Sequence, residues 1–112
     1  MAEYFQVFIT TPTQVSAQSI CQRLLRERLI ACAQILGPLR SSYWWRGEIN
    51  RSKEWLCIVK TDRRHYRKME ERIKQLHPYE IPEIIGLPIV VSLAEYRNWL
   101  KKELPKNRPS RG

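Results

Sequence analysis

The stretch Tyr43-Trp44-Trp45-Arg46-Gly47-Glu48-Ile49 joins two extended arms through a two-residue turn at Arg46-Gly47. Glycine tolerates the positive φ that such a turn demands. The arms run from Ala31 to Trp45 and from Glu48 to Thr61, and pairing about the turn sets Trp44 opposite Ile49. At about 3.3 Å per residue each arm would reach roughly 40 Å, more than a domain of this size needs. Part of the hairpin is therefore expected to project beyond its own core, with Gly37-Pro38 bending or interrupting the first arm.

Outward from the hairpin, Tyr4 to Thr10 is rich in aromatic and β-branched residues and reads as a strand that breaks at Thr11-Pro12. Thr13 offers a helix cap. From Val15 to Leu29 the positions Ala17, Ile20, Cys21, Leu24 and Arg28 recur at helical spacing, and Leu25 and Leu29 widen the stripe. On the other side of the hairpin, Asp62 caps a second helix that carries Tyr66, Met69, Ile73 and Leu76 on one stripe and stops at Pro78. Ile84 to Val91 reads as a strand with Pro88 at an edge or bulge, and Ser92-Leu93-Ala94-Glu95 as a capping box before a short last helix.

The order strand, helix, strand, strand, helix, strand, with a helix appended, is the split βαβ pattern of an α+β, ferredoxin-like sandwich. Two helices can cover only one face of such a sheet. The other face and the surplus hairpin, with its Tyr43-Trp44-Trp45, predict a homo-oligomer.

The 112 residues, 43% of them hydrophobic, suit a single domain over 1–100. The segment 101–112 reads as a basic, disordered tail that carries five of the basic residues and leaves +5 of the net charge of +9 upstream. No apolar run is long enough to span a bilayer and the first residues lack the features of a secretion signal, so a cytoplasmic protein with no membrane partner is expected. Cys21, Cys32 and Cys57 are odd in number and show no C-x-x-C pairing, which predicts reduced thiols.

The segment His77-Pro78-Tyr79-Glu80-Ile81-Pro82-Glu83 holds an imidazole beside two carboxylates in a loop stiffened by prolines. It reads either as a binding site or as a helix end in which His77 meets the last carbonyls. Cys32 opens the second strand, and a thiolate with an imidazole suits copper or zinc, while Cys21 and Cys57 read as small core residues. A Cys32 nucleophile with His77 as base is a third, less favoured reading. The basic run Arg63-Arg64-His65-Tyr66-Arg67-Lys68 and the aromatic hairpin allow a nucleic-acid reading, but no K/R-G-F/Y-G/A-F-V-x-F/Y signature accompanies them. Nucleic acid is not the expected partner. No Gly-rich phosphate loop, G-x-S-x-G elbow or H-E-x-x-H motif occurs.

Four ordered motifs carry a family resemblance: Thr10-Thr11-Pro12, Arg28-Leu29-Ile30-Ala31-Cys32-Ala33, Ser42-Tyr43-Trp44-Trp45-Arg46-Gly47-Glu48-Ile49 and His77-Pro78-Tyr79-Glu80-Ile81-Pro82-Glu83. The chain resembles the CutA divalent-cation tolerance family, from the first strand through Trp99. The resemblance implies a homotrimer similar in architecture to PII signalling proteins, with hairpins reaching neighbouring subunits. It implies a response to divalent metal ions, copper above all, and no established catalysed reaction, so no enzyme is expected. Carried onto this chain, the metal candidates are Cys32, His77, Glu80 and Glu83, with Tyr43, Trp44, Trp45, Lys60 and Tyr79 lining the cleft or subunit interface. No cofactor is required, and copper or zinc is the expected ion. Further cysteines of some family members are replaced here by Ile9 and Arg72, which weakens the case for a thiol-rich copper site.

Overall fold

The computed structural model describes residues 2–105. The elements are β1 (Tyr4–Thr11), α1 (Gln14–Arg26), β2 (Cys32–Trp45), β3 (Glu48–Asp62), α2 (Arg63–Leu76), β4 (Ile84–Pro88) and α3 (Ala94–Glu103). The four strands form one antiparallel sheet in the order β2-β3-β1-β4, the expected ferredoxin-like arrangement. No helix among the described residues is long and apolar enough to cross a membrane.

Strand alternation separates the two faces of the sheet. Val7 and Ile9 of β1 lie opposite Val59 and Cys57 of β3, and all four are fully buried against Ala17, Ile20, Cys21 and Leu24 of α1 and Met69 and Ile73 of α2. The other face carries Gln34, Leu36, Ile58, Phe8, Ile85 and Leu87, of which Gln34, Leu36, Ile85 and Leu87 are exposed. Cys57 hydrogen-bonds Cys21 within the core, and that bond together with burial pushes its thiol far above the ordinary range. All three cysteines are free.

Both central helices start on the residues that the sequence offers as caps. The Thr13 hydroxyl accepts from the Ser16 N–H at 3.0 Å. Thr13→Ala is expected to lower the unfolding free energy by about 1 kcal/mol, read from a denaturant curve of unchanged slope. At α2 the Asp62 carboxylate accepts from the His65 N–H at 2.9 Å and from its ring Nδ1 at 2.6 Å, and Arg64 meets its second oxygen at 3.1 Å. His65 is thereby buried on the inner stripe with Met69 and Ile73, whereas the expected Tyr66 and Leu76 are only half-buried at its margins.

The hairpin pairs as expected, with Trp44 opposite Ile49 and the turn built on positive φ at both Arg46 (52°) and Gly47 (79°). β1 covers β3 only from Trp55 to Asp62, so Glu48 to Glu54 has β2 as its sole strand neighbour. The ladder is interrupted between Leu36, which faces Leu56, and Leu39, which faces Glu54, so Gly37 and Pro38 together oppose Trp55 alone. A Cβ on Gly37 would collide with the Trp55 indole, so glycine is what lets the chain pass there.

Several boundaries move. α1 stops at Arg26 because Arg28 turns to φ 58°, which places Leu29 in the core outside the helix. β4 stops at Pro88, which cannot donate to a ladder, on the edge strand where proline is tolerated. The expected capping box at Ser92 does not form: Leu93 occupies the cap position without a side-chain bond, and the Ser92 hydroxyl accepts from Arg97 instead. Order continues beyond residue 100, because Leu104 is fully buried, its carbonyl accepts from Arg64, and Glu103 pairs with Arg28 at 2.8 Å. The expectation of disorder for 106–112 lies outside the described residues.

Candidate functional site: an acidic aromatic cleft

The end of α2 turns the chain onto β1. The His77 N–H caps the helix on the Ile73 carbonyl, but the imidazole does not meet the last carbonyls of the helix. Its Nε2 donates to the Thr10 carbonyl at 2.7 Å, and its Nδ1 accepts from the Tyr79 N–H at 3.0 Å. Those two bonds define a neutral imidazole protonated at Nε2. Burial agrees, drawing the His77 pKa below its ordinary value against smaller opposing effects from the Thr10 bond and the Glu54 charge. His77 thus pins the 78–83 loop to the end of β1.

Tyr79 continues the connection. Its hydroxyl donates to the Glu54 carboxylate at 2.6 Å, and burial, reinforced by that bond, pushes the phenol well above its usual range. Glu54 is only 5% exposed, and among the described residues it makes no salt bridge. Its second oxygen has no hydrogen-bond partner there and opens on a cleft of about 560 Å³. Thr10 and Ser41 give that cleft polar lining, Tyr43, Trp45, Tyr79 and Ile81 aromatic and apolar lining, and Glu80 and Glu83 the remaining acidic lining. Tyr43 is held by the Ser52 hydroxyl at 3.3 Å, and the Arg46 guanidinium lies 5.5 Å from the Trp45 ring centroid.

The structure brings Tyr43, Trp45, Tyr79, Glu80 and Glu83 together around this cleft, with His77 as the buried anchor behind it. It does not bring Cys32 or Lys60 there. Those two face each other across β2 and β3, four residues along β3 from the Leu56–Thr10 pair, which is about 13 Å at strand rise. The Cys32 thiol lies 3.6 Å from the Tyr96 hydroxyl, and Lys60 donates to Gln34. That contact and burial, the latter the larger effect, raise the Tyr96 phenol to about 12. Trp44 is 72% exposed and is not among the residues that line this cleft.

Within one chain the thiol and imidazole expected to hold copper or zinc do not form a common site. Both nitrogens of His77 are engaged, Cys32 is remote, and among the described residues no three His, Cys, Asp or Glu side chains are grouped to hold a metal ion. What remains in the cleft is an oxygen set from Glu54, Glu80 and Glu83, spread too widely to close on one ion. Sequence reasoning missed Glu54, which stands in Lys53-Glu54-Trp55 like an ordinary strand charge. The available signal was its even position on β3, opposite in phase to the core residues Cys57 and Val59 and so on the face away from the helices.

Four antiparallel strands with helices on one face, and a cleft lined by aromatics and carboxylates beside the long hairpin, define the class as a ferredoxin-like α+β sandwich. Comparison with known proteins makes the assignment specific. The profile of the CutA1 divalent ion tolerance protein family matches residues 5–103. The divalent-cation tolerance protein CutA of Thermus thermophilus is 44% identical over 96 residues, which span 86% of this chain and 93% of that protein. That of Pyrococcus horikoshii is 42% identical over 100 residues, 89% of this chain and 97% of its own length. Among solved structures, the Thermus thermophilus protein superposes with a TM-score of 0.89 at 41% identity, covering 91% of this chain and 99% of its own. CutA1 from Oryza sativa gives 0.91 at 30% identity, covering 95% and 97%. The chain belongs to the CutA1 divalent ion tolerance family.

Proposed function

We propose that this protein is a cytoplasmic homo-oligomer, a homotrimer by family resemblance, that binds a cationic ligand in the cleft between the hairpin base and the 77–83 loop as part of a response to divalent cations. The observation that carries the reading is Glu54. Glu54 is 5% exposed with no salt-bridge cation among the described residues, one oxygen held by Tyr79 and the other left open to the cleft, and Glu80 and Glu83 add to the same negative field. The oligomeric part is supported by the outer hairpin, a two-stranded ribbon with exposed Trp44 and Ile49 that is marginal when isolated in water.

Divalent metal ions are the first ligands to test. Copper and zinc are titrated calorimetrically into wild type, Glu54→Gln and a Cys32→Ala/His77→Ala double variant. Any copper or zinc binding that belongs to this cleft is expected to be weakened by Glu54→Gln. Binding no tighter than millimolar would reject metal at this cleft, and loss confined to the double variant would move the ion to a thiol–imidazole site assembled between subunits. Sedimentation of the wild type across protein concentrations tests the oligomer, and a monomer at all of them would overturn that part.

A further inference from the structure

The geometry points to an organic ammonium compound, an aliphatic amine with more than one charged nitrogen, as the ligand class of the cleft; this rests on the reading of the cleft as a cation site. Three observations lead there. The carboxylates of Glu54, Glu80 and Glu83 share the cleft yet do not gather around any one point as ligands of an ion would. A ligand whose own charges are spread along a chain matches that spacing where a point charge does not.

The second observation is the walls. Tyr43, Trp45 and Tyr79, with Pro78 and Ile81, give an aromatic and apolar lining to about 560 Å³, a volume within the range of small-molecule pockets and far larger than a single metal ion needs. Aromatic faces attract ammonium and guanidinium groups through their quadrupole, and the Arg46 guanidinium already lies 5.5 Å from the Trp45 centroid. Methylene groups pack on the same surfaces, so one lining serves both parts of an alkyl amine.

The third is the state of the acceptors. Glu54 is 5% exposed, has one oxygen held by Tyr79, and has the other without a partner among the described residues. That leaves a fixed acceptor for one ammonium N–H in the cleft, while the exposed Glu80 and Glu83 can meet a second nitrogen nearer solvent. Softer donors that would favour copper or zinc are absent from the lining.

The test is equilibrium binding of 1,4-diaminobutane, 1,4-butanediol and Zn²⁺ to the full-length oligomer, followed by indole fluorescence and by calorimetry. The diamine is expected to bind and to perturb the tryptophan signal, the uncharged diol to fail, and Glu54→Gln to weaken the diamine on the order of 30-fold or more. Tyr43→Ala, a substitution on the exposed hairpin away from the core, should weaken it as well and covers the case in which Glu54→Gln does not fold. Zn²⁺ binding that depends on Glu54, with no diamine binding, would overturn this inference and leave the cation reading standing; binding of neither would overturn both. Equal affinity for diol and diamine, or a diamine affinity indifferent to both substitutions, would also overturn it, as would a structure of the oligomer with a neighbouring Lys or Arg seated on Glu54.

Discussion

His77→Ala is expected to destabilise the protein by about 2–4 kcal/mol, because it orphans two backbone groups at once. The Thr10 carbonyl loses its donor and the Tyr79 N–H its acceptor, in a place where the imidazole is only 8% exposed. The same variant should change the pH dependence of stability. In the native state burial holds the His77 pKa below 6.5, so as pH falls the unfolded chain takes up the proton first. Between the two pKa values the unfolded state binds more protons, and stability declines as pH drops from about 6.5 toward the lower native value. Above that window the ring is neutral in both states and contributes no slope. His77→Gln, which keeps a donor and an acceptor but cannot titrate, should recover part of the stability without recovering the slope. Chemical denaturation at several pH values between 5 and 7.5, all roughly spanning the histidine range, measures both effects. Identical slopes in wild type and His77→Ala would remove the native imidazole from this account.

The other large effect is expected for Ile73→Ala, at about 2–5 kcal/mol. Ile73 is fully buried between α2 and the sheet, one turn before His77, and its carbonyl is the acceptor for the His77 N–H. Truncation leaves a cavity beneath the last turn of α2 and loosens the support from which the 78–83 loop departs. Val15→Ala is the control: Val15 is 74% exposed on α1 and should change stability by no more than about 0.5 kcal/mol. Because association stabilises whichever state associates, both comparisons belong at one fixed protein concentration. A loss below about 1 kcal/mol for Ile73→Ala would mean that the core collapses around the gap rather than holding its shape.

The fold was legible because each element announced itself locally. Thr13 and Asp62 are side-chain caps in the sequence and in the structure, Arg46-Gly47 is the turn, and Trp44 does face Ile49. Helix ends were less legible, since Arg28 at positive φ and Leu93 at an uncapped start answer to tertiary packing of Leu29, Leu100 and Leu104 rather than to their own propensities. The site was half legible. Tyr79, Glu80 and Glu83 are contiguous with His77, so a loop reading captured them, and Tyr43 and Trp45 stood out by size. Cys32 and Lys60 stood with them by resemblance but lie along the sheet from the cleft, and Glu54 was invisible because its importance depends on three segments far apart in sequence: β3, Tyr79 and the hairpin.

The irregularity at Gly37-Pro38 reaches further than the bend it makes. On β2 before it, even-numbered residues share a side of the sheet with even-numbered residues of β3, as Cys32 does with Lys60 and Leu36 with Leu56. Beyond it the parity is reversed: Leu39 joins Glu54, Ser41 joins Ser52, and Tyr43 and Trp45 fall on Glu54's side while Trp44 is sent to the opposite one. The extra residue works like a shift of reading frame within a single strand. Of three consecutive aromatics, it selects the outer two for the acidic cleft and leaves the middle one for whatever the far side of the hairpin meets.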